Sequence, residues 1–227
     1  MQREWVSVAP ESFVVKPARL ARTLAGLSLL GVLVYVALDV LLFVLRPDLP
    51  ILHHAESDYG NGPWSWLMDV NFLLRCFLSL AAVGALWSLL PRSAPNRLAL
   101  GLLAAWAICS GVLAFFSDDE SGATATRHGA IHLVAAGIAF LCCLVATFLL
   151  TGALARFSRS RPLAVTLDVV WLLALLGFLL LLFFGFPPRG LGGLYERIFL
   201  GAELLWLAVA MGWALRLRPA QPGAGAY

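Results

Sequence analysis

The sequence predicts an all-α polytopic membrane protein: a bundle of six transmembrane helices with the N-terminus and C-terminus both cytoplasmic. Three observations carry that expectation. Of 227 residues, 61% are hydrophobic and 13% charged, with mean hydropathy +0.87; a soluble domain is about 45–50% apolar and about 25% charged. Six apolar runs reach the roughly 20 residues that cross a bilayer, at about 24–45, 66–90, 98–116, 129–154, 163–186 and 198–215. The basic residues are divided unevenly among the connections. Arg3, Lys16, Arg19, Arg22, Arg92, Arg97, Arg156, Arg159, Arg161, Arg216 and Arg218 fall on one side, Arg46, Arg127, Arg189 and Arg197 on the other, and Arg75 within a span. Positive charge concentrates on the cytoplasmic side of membrane proteins, which sets the orientation.

The transmembrane domain therefore covers 24–216, with an amphipathic cytoplasmic lead-in at 1–23 and a disordered Pro/Gly-rich tail at 217–227. In the lead-in, Trp5, Val8, Phe13, Val14 and Val15 interleave with Arg3, Glu4, Glu11 and Lys16; it reads equally as an interfacial segment or a partly ordered tail. The first apolar run is longer than a signal-peptide core and reads as an uncleaved span. Helix 1 ends at Arg46-Pro47, because proline lacks the donor that a helix needs. The loop that follows, about 47–65, is the longest and carries His53 and His54 as mobile surface residues. Trp64 and Trp66 suit the membrane interface. Helix 2 stops at Pro91, and the short link to helix 3 predicts an antiparallel hairpin. Helix 3 ends before Asp118, Asp119 and Glu120. Helix 4 opens at His128, and Ala135, Ala136, Gly137 and Ala139 allow close helix approach. Pro162 suits the first turn of helix 5. Helix 5 is a Leu/Phe run expected to face lipid, and ends at Pro187-Pro188. Residues 189–195 are glycine-rich and read as a loop before helix 6. Cys76, Cys109, Cys142 and Cys143 all lie in spans, where small buried hydrophobes are expected. The net charge of +3, scattered among loops, gives no reason to expect nucleic acid.

Nearly all the chemistry falls on the outer side. All four histidines, His53, His54, His128 and His132, are there, with most of the acids. An ionisable group in a span costs about 2.5–3.5 kcal/mol on insertion scales and faces a bundle interior or a cavity. Asp39, Asp69, Arg75 and Glu203 are placed in the outer half, with Asn71 as a neutral partner, and Asp168 near the inner start of helix 5. Arg75 needs a counter-ion, and Asp39 or Glu203 is expected. It serves either a structural ion pair or an anion or headgroup site, since a guanidinium matches phosphate geometry. His128 and His132, spaced i, i+4, share one helix face about 6 Å apart. That spacing suits two ligands of one metal, with zinc the candidate cofactor and His53, His54, Asp58, Asp118 or Asp119 the third ligand. The glutamate of the H-E-x-x-H motif is missing, and polar packing or a headgroup contact is the favoured reading of the pair over a metal site. Haem lacks a second intramembrane histidine. Ser57 has no nucleophile-elbow glycines. Tyr195-Glu196-Arg197 reads as an interfacial anchor with local charge compensation.

Three motifs then carry a resemblance. They are Ser57-Asp58-Tyr59-Gly60-Asn61-Gly62-Pro63 opening the second span, the His-Gly-x-x-His start of the fourth at His128–His132, and Gly193-Leu194-Tyr195-Glu196-Arg197 before the last. Over roughly 20–217 the chain resembles a bacterial six-span integral membrane family catalogued as a domain of unknown function, similar in turn to DRAM-type and GPI-remodelling membrane proteins. The resemblance implies fold, topology and a bacterial inner (cell) membrane, not an activity. Seven-span metal-dependent lipid amidases are a more distant analogy. They need histidines in a last span, and the last span here has none.

The expected function is binding of a lipid or small amphipathic ligand in an outward-facing polar pocket. Asp58, Asp69, Asn71, Arg75, Asp118, His128, His132, Arg197 and Glu203 would line it. A zinc-dependent lipid hydrolase using His128 and His132, with a carboxylate base, is the alternative. A small transporter ranks behind, because paired broken helices are missing. Membrane lipids are the expected partners, with a second copy of the chain a further candidate.

Overall fold

A computed structural model describes residues 18–119, 123–185 and 190–217. Among these residues the chain forms six long α-helices and no strands. They are α1 (Ala18–Leu45), α2 (Ser65–Leu89), α3 (Ala94–Leu113), α4 (Arg127–Ser158), α5 (Arg161–Phe184) and α6 (Gly192–Arg216), with a 3-10 turn at Ser57–Gly60. All six are long and apolar enough to cross a membrane. A helix rises about 1.5 Å per residue, so 20 residues span about 30 Å. The chain is an integral membrane protein. Residues 1–17 of the expected lead-in and 218–227 of the expected tail lie outside the described residues, as do Glu120, Pro187, Pro188 and Arg189.

The helix ends follow local chemistry. The side chains of Ser93, Thr126 and Ser160 accept hydrogen bonds from the Asn96, Gly129 and Leu163 amides and cap α3, α4 and α5, each satisfying a donor that a helix start leaves unpaired. Proline stands in the first turn of α3 and α5. The Ser93 cap explains why α3 begins four residues before its apolar run.

Each helix packs on its neighbours in sequence, and α6 returns to α1, closing a ring. α6 is the most enclosed helix and α5 the least, as the Leu/Phe composition of α5 predicts. Large side chains such as Leu172, Leu176, Leu182 and Phe183 stand exposed along α5. In water such a surface would associate; in a bilayer it is solvated. Between helices, tryptophan N–H groups find partners: Trp106 donates to Ser79 Oγ at 2.9 Å, Trp206 to Thr151 Oγ1 at 2.8 Å and Trp171 to the Leu144 carbonyl at 2.9 Å. These short polar links join helices where apolar surface alone gives no preference over lipid.

Two expectations are corrected. Helix 6 begins at Gly192 rather than near 198, and its glycines serve close approach instead of a turn. A Cβ on Gly193 would lie 2.6 Å from the Ile51 carbonyl oxygen and closer still to that of His54. The 46–64 connection is packed onto α6 rather than mobile. The Leu194 amide donates to the Leu52 carbonyl at 3.1 Å, and Arg197 Nη1 donates to the Ile51 and His54 carbonyls at 2.9 and 2.7 Å.

Candidate functional site: an amphipathic cavity at the loop end

The end of the bundle carrying the 46–64 connection is here termed the loop end. At its other side Arg46 holds the connection, donating to the Asn61 and Pro63 carbonyls and pairing with Asp48 at 2.8 Å. That pairing holds the Asp48 carboxyl below the usual range. Tyr59 is enclosed, donates to the Leu49 carbonyl at 3.0 Å, and has its phenol pushed up by burial. So fixed, the 3-10 turn drops Glu56 and Ser57 into the mouth of the bundle.

Glu56 meets Arg75 there. Arg75, on α2 and 2% exposed, donates from Nε to Ser110 Oγ at 3.1 Å and from Nη1 to the Tyr35 hydroxyl at 3.2 Å. The Tyr35 hydroxyl donates to Glu56 Oε1 at 2.5 Å, and Glu56 Oε2 lies 3.9 Å from Arg75 Nη1. The rings of Tyr35, Phe72 and Trp106 stand within 5.8 Å of the guanidinium carbon, where a desolvated cation is attracted to the ring face. The Glu56 amide donates to Glu196 Oε2 at 2.7 Å, tying the loop to α6. Asp39, one turn beyond Tyr35 on α1, is half-buried, and its Oδ1 has no hydrogen-bond partner among the described residues.

Beside this network lies a cavity of about 800 Å³, within the size range of small-molecule sites. Its lining is mixed: Glu56, Ser57, Asp58, Asp118, His132, Glu196 and Arg75 are polar, and Phe72, Leu113, Leu133, Ala136, Phe140 and Leu181 are apolar. The α4–α5 seam is the most sparsely packed in the ring. These two helices meet at mid-depth, where Phe148 packs on Trp171 at 4.9 Å. Phe199 of α6 packs against Phe140 of α4 at 4.8 Å and Phe178 of α5 at 5.6 Å. Leu133, Ala136 and Phe140 of α4 and Leu181 of α5 line the cavity, and Leu133 is 65% exposed on the outside of the bundle.

Four of the nine expected residues line this cavity: Asp58, Arg75, Asp118 and His132. Asp58 accepts from or pairs with His54 Nδ1 at 2.8 Å. Asp118 accepts from Ser57 Oγ at 3.0 Å. His132 Nδ1 is 2.7 Å from the Phe116 carbonyl oxygen, which can only accept. That bond places a hydrogen on Nδ1 and leaves Nε2, 4.0 Å from Asp118 Oδ2, as the acceptor in the neutral ring.

The other five stand apart. His128 is exposed, its ring against Phe116 at 5.2 Å. Arg197 fastens the loop and lies over the rings of Phe43 and Tyr59. Asp69 is half-buried outside the cavity lining, and Asn71 is fully buried, its amide without a hydrogen-bond partner among the described residues. Glu203 sits near the centre of α6, accepting from Cys143 Sγ at 3.2 Å and Thr147 Oγ1 at 3.5 Å. Its expected place in the outer half moves to mid-depth because α6 starts earlier. The expected counter-ion of Arg75, Asp39 or Glu203, is instead Glu56 from the loop. Similar depth does not fix facing: each residue along a helix turns about 100°.

Zinc fits these side chains poorly. His128 is exposed with its ring against Phe116, and no group of three or more His, Cys, Asp and Glu among the described residues is arranged to hold a metal ion. Asp119 instead serves the start of α4, accepting from the Thr126 hydroxyl at 2.6 Å and the Thr126 amide at 2.9 Å. Those bonds hold its carboxyl below the usual range.

Sequence reasoning passed over Tyr35, Glu56 and Glu196 as members of one network. Tyr35 carried a signal: it is the one tyrosine inside an apolar run, and Asp39 follows it at i+4 on the same face. Glu56 carried none, because its burial depends on how the loop folds back.

The family model for "Protein of unknown function (DUF998)" matches residues 29–213. No curated protein and no solved structure matches the chain. The chain belongs to the DUF998 family, whose function is unknown.

Proposed function

We propose that this DUF998 member binds a lipid or another small amphiphile in the loop-end cavity, with that end facing outside the cell membrane. One observation supports the reading above others: a single cavity is lined by both charged and apolar side chains, with α4 and α5, the most sparsely packed neighbours in the ring, both contributing to it. A soluble polar ligand would leave the apolar lining unmatched, and a pure hydrocarbon would strand buried carboxyl groups. An amphiphile satisfies both, its headgroup at the polar residues and its chain along Leu133, Ala136, Phe140 and Leu181. The orientation rests on the basic residues gathered at the opposite end of the bundle.

Ala136→Trp tests it. Position 136 is on the cavity wall and only partly enclosed, so an indole there fills the cavity while the helix packing persists. Lipid retained by the detergent-purified protein, measured by mass spectrometry, is expected to fall about tenfold, equivalent to about 1.4 kcal/mol. Unchanged lipid retention in a variant with an unchanged unfolding midpoint would overturn the reading.

A further inference from the structure

We propose that the headgroup taken by this cavity carries a primary ammonium, so that the ligand is a cationic or zwitterionic amine amphiphile rather than an anionic one. The proposal rests on the amphiphile reading and adds the charge of the ligand.

The wall holds five carboxylates, Glu56, Asp58, Asp118, Asp119 and Glu196, against one guanidinium, Arg75. The arginine is partly engaged. Its Nε and Nη1 donate to Ser110 and Tyr35, Glu56 stands 3.9 Å away, and three aromatic rings enclose it. One cation faces five acidic side chains, so the lining carries a surplus of carboxyl groups.

The second observation is His132. It is 3% exposed and lines the cavity. The Phe116 carbonyl takes the Nδ1 hydrogen, so the neutral ring offers Nε2 as an acceptor, and Nε2 has no hydrogen-bond partner among the described residues. The nearest charged atom is Asp118 Oδ2 at 4.0 Å. Asp118 and His132 Nε2 side by side call for a donor. A primary ammonium carries three N–H donors and a positive charge. A phosphate or sulfate without an amine brings chiefly acceptors and a like charge, which such a site disfavours. Each lining acid also accepts a hydrogen bond or pairs within the protein, Asp118 from the Ser57 hydroxyl and the Asp119 amide; Asp118 is set apart by standing 4.0 Å from the open acceptor of His132.

The test uses the full chain in maltoside micelles and four probes with matched chains. These are a long-chain alkylamine, lysophosphatidylethanolamine, lysophosphatidylglycerol and a monoacylglycerol, each titrated calorimetrically. The two amines are expected to bind about tenfold or more tightly than the other two. Asp118→Asn is expected to reduce that preference to about twofold, and Ala136→Trp to remove binding of all four. Equal binding of the four probes, or tighter binding of the anionic one, overturns the ammonium assignment and leaves the amphiphile reading standing. Binding of none of them, or binding that survives Ala136→Trp, overturns both. The comparison among probes on the unmodified protein does not depend on any variant folding.

Discussion

Arg75 and Glu203 are both charged side chains buried within spans, and the protein treats the two regions differently. Around Arg75 it assembles a hydroxyl from α1, a hydroxyl from α3, three aromatic rings and a carboxylate brought in by a folded loop. Around Glu203 it offers one thiol and one threonine hydroxyl, both from α4. The first region joins four elements and borders the cavity; the second joins two helices and borders none. A guanidinium cannot give up its charge in a protein, so it demands partners from wherever the chain can supply them. A carboxyl group is less demanding. The loop end is therefore organised by its arginine, and the mid-depth acid is accommodated by ordinary helix packing.

That contrast can be broken most directly at Arg75. Arg75→Met leaves Glu56 buried without its cation and is expected to destabilise the protein by about 3–5 kcal/mol, the usual cost of removing one member of a buried pair. Adding Glu56→Gln should restore a large part of that loss, because the stranded charge goes with it. Unfolding midpoints of the two single variants and the double variant in detergent measure the coupling. Additive losses would mean that the loop is not held by this pair.

A smaller effect is expected at the other tie of the loop end, the start of α4. Thr126→Ala removes a cap and should cost about 1 kcal/mol. Asp119, held below its usual range by Thr126, gives a pH signature with a definite sign. Its stabilising contribution is complete above the unfolded carboxylate range and disappears as pH falls through the folded value. Unfolding midpoints followed from neutral to acidic pH should therefore show an acid-side decline that is weaker in Asp119→Asn. An identical decline in both proteins would remove Asp119 from the account.

The smallest change is expected at Glu203→Gln. The amide oxygen still accepts from Cys143 and Thr147, so the midpoint should move by less than about 1 kcal/mol. A loss comparable with that of Arg75→Met would show that Glu203 also holds an uncompensated partner, and the two regions would no longer differ in kind.

Much of the architecture was legible in the residues themselves. Six apolar runs became six helices, Pro47, Pro91 and Pro162 marked their ends or starts, and the leucine-rich fifth helix emerged as the most exposed. The boundaries that moved did so for local reasons: the Ser93 cap lengthened α3, and α6 starts at glycines, where Gly192 meets the Gly185 backbone and Gly193 the Ile51 and His54 carbonyls. Of the site, Arg75 and His132 were legible because an ion in a span and a histidine pair at helical spacing stand out against an apolar background. Glu56 and Glu196 were not, because acids near a helix mouth look alike whether they are buried or solvated.

The sequence by itself determined that this chain lives in a membrane, with six spans, because hydropathy and length are sums over neighbouring residues and need no knowledge of the fold. It also determined that the arginine in the second span must be answered by something. Only the tertiary structure decided what answers it and where a ligand finds room. Those outcomes depend on the rotation of each helix about its axis and on a loop returning to pack against α6, and both are settled by contacts between residues far apart in the chain.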